Sequence, residues 1–286
     1  MLTLRGVLRF LTAPYLLQPL QVLRRLRLEW RWQARTEATV MLPWGLPLTI
    51  DPHEAIGYNI ACQGVYEMSV TEALWRLTDP DDLAVDAGAN IGYTASVLGA
   101  RVGRQGRVMC FEPHPAVFES LRRNVARWDG KFILRQAALG ASNGTVRLRT
   151  SDWFQTNRGT AWVGEGDGID VPLFRLDTLI DEPIGIVKID VEGYELEVLR
   201  GMTRLLSAGA VRDIIFEERA PYPASTHEML RECGYTVLGL REGWMSVRTI
   251  DRADTGPNPT YLATRDPGRV LRRLKGMWRS FGIFRR

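Results

Sequence analysis

Apolar residues recur along this chain in two rhythms: short unbroken runs that end in an acid, and helical stripes that follow them. Leu83-Ala84-Val85 runs into Asp86, and a small-residue turn, Ala87-Gly88-Ala89-Asn90, comes next. Ile91, Ala95, Leu98 and Val102 then fall at the spacing of one helix face. The pattern predicts strand, tight turn, helix. It repeats at Val108-Met109-Cys110-Phe111, which ends at Glu112-Pro113 before a helical stripe of Val117, Leu121, Val125 and Trp128. It repeats again at Ile186-Val187-Lys188-Ile189, ending at Asp190 before Leu196, Leu199 and Leu206, and at Ile214-Ile215-Phe216, ending at Glu217 before Met229, Leu230 and Cys233. Residues 132–139 read as a further strand, 145–149 as a short outer one, 38–50 as a hairpin broken at Pro43-Trp44-Gly45, and 70–77 as a helix. Residues 235–240 and 261–263 read as a closing hairpin. Buried strands alternating with helices predict an α/β fold with a mostly parallel sheet. In such a sheet the ligand crevice lies at the carboxyl ends of the strands, where Asp86, Glu112, Asp190 and Glu217 would converge.

The first turn carries the most chemistry. Gly88 and Gly92 remove side chains where a ligand must approach the backbone, and the helix N-terminus offers N–H groups to an anion. Asp86 is placed to accept hydrogen bonds from a cationic or hydroxyl-bearing ligand. The spacing is D-x-G-x-x-x-G and not the G-x-G-x-x-G of a dinucleotide site, which argues against a nicotinamide oxidoreductase. Glu112 follows Gly92 at the distance where an acid meets ribose hydroxyls. One turn plus Asp86 suits a single amino-acid moiety, so S-adenosylmethionine fits better than a pyrophosphate. The plainer reading is an ordinary strand–helix turn with a capping Asp. Lys188, inside a strand covered on both faces, must meet a carboxylate, with Asp190 and Glu217 as candidates. Asp190 also suits an N-cap. His53 and His227 read as surface residues.

Composition bounds this picture. The chain has 286 residues, 45% hydrophobic and 24% charged, enough for one sizeable packed domain with extensions. Cys62, Cys110 and Cys233 lie far apart and read as reduced thiols, and the absence of a close Cys–His grouping argues against zinc. The net charge of +4 is unevenly laid out: residues 1–35 carry +6 and residues 267–286 carry +7, leaving −9 for the body. Basic ends on an acidic body suit anionic partners for the ends only. Phe10 to Val22 lacks charge but is too short for a span and contains Pro14 and Pro19. Val270, Leu271, Leu274, Met277, Trp278 and Phe281 form one face of a basic amphipathic helix, which would lie on an anionic membrane or dock on the body. Residues 151–170 read as a long polar loop whose Trp153, Phe154 and Trp162 would bind a sugar face or fold back as the core of a lid.

Taken together, these blocks resemble the FkbM family of S-adenosylmethionine-dependent methyltransferases. The resemblance rests on Tyr66-Glu67, Val85-Asp86-Ala87-Gly88-Ala89-Asn90-Ile91-Gly92, Phe111-Glu112-Pro113, Leu176-Asp177-Thr178-Leu179, Lys188-Ile189-Asp190-Val191-Glu192-Gly193-Tyr194-Glu195, Val198-Leu199-Arg200-Gly201 and Ile215-Phe216-Glu217. It covers roughly residues 40–240 and implies a Rossmann-like class I sheet of seven strands with an antiparallel closing hairpin. The domain expectation is an N-terminal arm over 1–37, a methyltransferase domain over 38–265 and a basic C-terminal helix over 266–286. The resemblance implies transfer of a methyl group to a hydroxyl, on a sugar, glycolipid or other glycosylated metabolite, or else on a polyketide-type product. It puts Glu67, Asp86, Gly88, Ala89, Asn90, Gly92, Glu112, Pro113 and Ala138 around the cofactor. Asp190 stands as base with Lys188 in support and Glu217 second. Glu192 is third as a base, with a structural role favoured. Tyr66, Trp153, Trp162 and Glu192 go to the acceptor side. No metal site is expected, although paired carboxylates leave a divalent cation open. Nucleic acid is disfavoured, because Asp190-Val191-Glu192-Gly193 stands where amino-directed base methyltransferases carry a P-P-Y-like loop. An oligomer and a non-catalytic membrane scaffold are left open. The expected location is cytoplasmic, with the basic ends suited to the inner membrane face.

Overall fold

A computed structural model describes residues 37–151, 160–251 and 259–280. At its centre lie three strands buried along nearly their whole length: β3 (Leu83–Ala87), β10 (Ile184–Ile189) and β11 (Val211–Glu217). β3 is flanked by β4 (Arg107–Phe111) and then β5 (Phe132–Arg135), all parallel. On the other side β10 pairs in parallel with β3 and β11. Beyond β11, β14 (Thr260–Thr264) inserts antiparallel, followed by β12 (Thr236–Glu242) and the edge strand β13 (Val247–Ile250). The order is β13-β12-β14-β11-β10-β3-β4-β5, eight strands where the sequence indicated seven. The added strand is β13, the return arm of a hairpin on β12. Chain order reverses at β3, so the crevice opens at the carboxyl ends of β3 and β10.

Helices cover both faces, which is why the central strands read as continuous apolar runs. One layer contains α2 (Met68–Leu77), α3 (Tyr93–Val102), α4 (Pro115–Val125) and α8 (Pro267–Leu274). Leu74, Leu98, Leu121 and Val270 pack there on Ala84, Val108 and Ile186. The opposite layer contains α5 (Glu195–Arg200), α6 (Thr203–Ser207) and α7 (Ser225–Glu232), with Leu199, Leu206 and Leu230 on Val85, Val187 and Ile214. The hairpin of β1 (Ala38–Met41) and β2 (Pro47–Ile50) forms as its pattern indicates. α1 (Ala55–Gln63) follows it, unmarked by any apolar stripe strong enough to read in the sequence.

Several expectations are corrected. Residues 132–139 are not one strand: β5 stops at Arg135, and β6 (Ala138–Leu139) joins a separate sheet, ordered β6-β9-β7-β8. That sheet takes β7 (Gly144–Thr150), β8 (Ala161–Val163) and β9 (Ile169–Phe174), so residues 161–163 and 169–170 of the expected polar loop are strand. His227 is fully buried among Phe216, Tyr222 and Tyr261, and is not a surface residue.

At the other end of the sheet from the crevice, Arg212 and Arg269 bridge Asp79, Asp82 and Asp213, and Arg273 reaches Asp79. These pairs fasten α8 to the body, with Val270, Leu274 and Trp278 buried. The buried Glu72 carboxylate then accepts from Arg279 N at 2.8 Å and Ser280 N at 2.9 Å. This segment is docked through its apolar face, while Leu271 and Met277 remain exposed.

Candidate active site

A cavity of about 350 Å³ opens where β3, β10 and β11 end. Its rear wall is the turn after β3. Gly88 N and Ala89 N both donate to the Phe111 carbonyl, at 3.0 and 2.9 Å, tying the turn to β4. Gly88 adopts φ +78°, and a Cβ there would lie 1.9 Å from the Asp190 carbonyl oxygen. Only glycine lets the ends of β3 and β10 close on each other this tightly. Gly92 has a different reason to be small. A Cβ there would meet Leu121 and Trp128 at 2.9 and 3.0 Å, so its hydrogen serves helix packing and not ligand approach.

The floor is ionic. Lys188 and Asp86 are register partners on neighbouring strands, pointing to the same face. The Lys188 ammonium lies 3.5 Å from Asp86 and 3.4 Å from Asp190, and donates to the Gly88 carbonyl at 2.9 Å. The sequence foresaw Asp190; the other partner is Asp86, not Glu217. Asp86 is fully buried below the cavity, where Thr94 donates to it at 2.6 Å. Its carboxyl is pushed up by burial, against the pull of Lys188. Asp190 does not cap α5. The helix has no side-chain cap; Glu195, its first residue, folds back on the preceding turn, its carboxylate accepting from Val191 N at 3.2 Å and Gly193 N at 3.1 Å, and the Asp190 side chain stands on the cavity wall.

Glu112 meets the cavity from the end of β4 and accepts from Asn90 N at 3.0 Å and His114 N at 2.9 Å. Burial raises its pKa to about 7, against those two N–H groups. Glu67 enters from the start of α2 in a left-handed conformation, φ 43°. Its turn is held by Tyr93, whose hydroxyl accepts from Tyr66 N at 2.9 Å, and by Thr71 donating to Tyr66 O at 2.7 Å. Burial and then Asp190 lift Glu67 to about 7, and burial, Asp190 and Glu67 lift Glu217 to about 8. At the mouth, Glu192 pairs with Arg219, a lining residue that no sequence motif marked.

Of the residues singled out from sequence, Tyr66, Glu67, Gly88, Ala89, Asn90, Glu112, Pro113, Ala138, Lys188, Asp190, Glu192 and Glu217 all line this cavity. Trp162 does not. Strand alternation puts Ala161 and Val163 on the cavity and turns the Trp162 ring to Arg149, 5.3 Å away. Trp153 lies outside the described residues. Among the described residues no three His, Cys, Asp or Glu side chains group as metal ligands.

The site also fits a class of ligand. Pro113, Ala137 and Ala138 offer small apolar surfaces beside Glu112, and the acidic floor suits a cationic molecule. A profile of the methyltransferase FkbM domain matches residues 86–237, just over half the chain. The chain is 32% identical over 146 residues to the hexuronic acid methyltransferase AglP of Haloferax volcanii, covering 50% of this chain and 59% of that protein. It therefore spans less than two thirds of that relative. It is 27% identical over 226 residues to the methyltransferase sdnD of Sordaria araneosa, covering 65% of this chain and 86% of that one. The solved structure of a methyltransferase FkbM from Methylobacillus flagellatus KT aligns at TM-score 0.43 and 19% identity, over 73% of this chain and 52% of that one. With the motif turn, the acids at the strand ends and the domain match in hand, the chain belongs to the FkbM family of S-adenosylmethionine-dependent methyltransferases.

Proposed function

We propose that this protein is an O-methyltransferase acting on a hydroxyl of a sugar or glycosylated acceptor. The observation that carries the reading is Asp190 on the cavity wall, not engaged in capping the helix that follows and held by Lys188 at 3.4 Å. The hexuronic acid methyltransferase among the relatives supports a sugar acceptor. Glu112 would hold the ribose of the cofactor, Pro113 and Ala138 its adenine, and Asn90 with the Gly88 turn its amino-acid end. When bound, the cofactor supplies an electrophilic methyl on a sulfonium.

The protein's part is to align and to move a proton. An alcohol is a poor nucleophile until its proton leaves, so a carboxylate in hydrogen-bond reach accelerates the attack. Asp190 takes that proton, and Lys188 fixes the orientation of its carboxylate. Glu192 and Arg219 at the mouth contact the acceptor, with Tyr66 on the adjoining wall. The exposed Leu271 and Met277, set among Arg272, Lys275 and Arg279, support the further reading that the body attaches to an anionic membrane surface at the end of the sheet opposite the cavity.

The test is labelled S-adenosylmethionine with a panel of uronic acid and neutral sugar acceptors, followed by mass analysis of the product. Asp190→Asn is expected to keep the donor Kd within about threefold while turnover falls roughly 10²–10⁴-fold. Unchanged turnover in that variant removes Asp190 as the base, and a methylated carbon or nitrogen in the product removes O-methylation.

A further inference from the structure

The cavity floor holds more carboxylates than its cation can balance. Glu67, Asp86, Asp190 and Glu217 gather around Lys188, with Glu195 behind them. Lys188 donates to Gly88 O at 2.9 Å and forms ion pairs with Asp86 at 3.5 Å and Asp190 at 3.4 Å. Glu217 stands beyond these contacts at the end of β11 and lines both the main cavity and a second space of about 20 Å³ below it. Glu67, Lys188, Asp190 and Thr260 also line that space, which has the room and the polar partners for one water. The main cavity's other cation among the described residues, Arg219, is paired with Glu192 at the mouth. Several partly buried carboxyls around one lysine cannot all ionise together.

We propose that Glu217 balances the charge of this cavity, carrying a proton until a cationic methyl donor binds and releasing it when the sulfonium arrives. The donor thereby creates the deprotonated cluster that the acceptor hydroxyl requires. The inference rests on the cofactor reading above. On methyl transfer the S–C bond breaks, the C–O bond forms, and the hydroxyl proton passes to Asp190. That proton then passes from Asp190 to Glu217 through the water-sized space that both line, restoring the Asp190 carboxylate and the Glu217 acid, so the cavity has the same net charge before and after. Asp190, Glu67 and Glu195 face Glu217 as acids and Lys188 as the base, and together with burial they hold it near 8. An added positive charge within about 6 Å lowers a carboxyl by roughly one to three units.

Calorimetry on the full chain at pH 7.5, in two buffers of different ionisation enthalpy, counts the protons exchanged on binding. S-adenosylmethionine and S-adenosylhomocysteine share amine, carboxylate and adenosine and differ in the sulfonium charge. A carboxyl at about 8 is roughly three-quarters protonated at pH 7.5, so S-adenosylmethionine should release about 0.5–0.7 proton more than S-adenosylhomocysteine. Glu217→Gln should bind both and bring that difference below about 0.2. Equal proton counts for the two ligands in the unsubstituted protein overturn the proposal, whether or not the variant folds. So does a difference that survives Glu217→Gln. No heat from either ligand overturns the cofactor reading itself, a result distinguishable from binding without proton release.

Discussion

Replacing Lys188 by Met keeps the length of the side chain and deletes its charge, which isolates what the ammonium does in the sheet. Lys188 is 5% exposed and Asp86 not at all, whereas the Asp190 side chain is 31% exposed. Asp190 can turn to solvent when the cation goes; Asp86 cannot. Breaking a buried ion pair from one side costs about 3–5 kcal/mol, and the effect here belongs at the lower end because one of two carboxylates finds water. We therefore expect Lys188→Met to lose about 3 kcal/mol of unfolding free energy at pH 7.5.

The pH dependence separates this cause from simple loss of packing. Asp86 is already raised by burial with Lys188 opposing it, and removing Lys188 raises it further. A carboxyl whose folded pKa lies above its unfolded value binds protons more readily in the native state, so the native state gains as pH falls. The penalty is full above the raised folded pKa and shrinks between that value and the unfolded one near 4. Each pH unit in that window returns up to about 1.4 kcal/mol per proton. Urea unfolding of both proteins at pH 7.5 and 5.5 should show the gap narrowing by more than about 1 kcal/mol at the lower pH. A gap that stays constant or widens would mean that the loss comes from repacking around the methionine and not from an unpaired Asp86, and the ionic account of the floor would fall.

Two other substitutions probe the frame. Gly88→Ala forces a Cβ into the Asp190 carbonyl at a positive φ, so it should cost at least about 2–3 kcal/mol and weaken donor binding more than tenfold. Gly92→Ala shares the positive φ, at +97°, but meets side-chain ends instead of backbone and should be milder, and calorimetry with thermal melts would expose the reverse order. Glu72→Ala removes the acceptor of Arg279 N and Ser280 N and the partner of Arg76, so limited proteolysis should cut after Lys275 in the variant and not in the unsubstituted protein. An unchanged digestion pattern would show that α8 and the arginines around Asp79 hold the segment unaided.

Much of the site was legible because it obeys local rules. An apolar run ending in an acid ahead of a helical stripe marks a strand end facing a crevice, and Asp86, Glu112, Asp190 and Glu217 all lie at such ends. Relations across strands were not legible. Lys188 meets Asp86 because residues about a hundred positions apart share a register that local spacing cannot encode. Asp190 looked like a cap since it precedes a helical stripe, yet the helix starts only at Glu195, which reaches back to hold the turn between them. Trp162 looked exposed because its loop is rich in glycine, and only the pairing of β8 with β7 decides which way it turns. His227 looked superficial as a polar residue at a helix start; three aromatic neighbours supplied by other elements bury it.

Backbone strain bears on whether the cavity is a site or a packing defect. Among the described residues, four non-glycine positions take positive φ: Glu67, Asp81, Asn90 and Glu192. Asp81 turns the chain into β3, and the other three line the one cavity. Such a conformation costs roughly 1–3 kcal/mol unless the surroundings compel it, and glycine would relieve it at each place. Glycine would also delete what each supplies: the Glu67 carboxyl beside Tyr66, the Asn90 amide that takes Ile91 N at 2.7 Å, and the Glu192 partner of Arg219. A packing defect gives no reason to retain a polar side chain at a strained bend. Three such bends around the charged floor of β3 and β10 are what a chain retains when those side chains must reach a ligand.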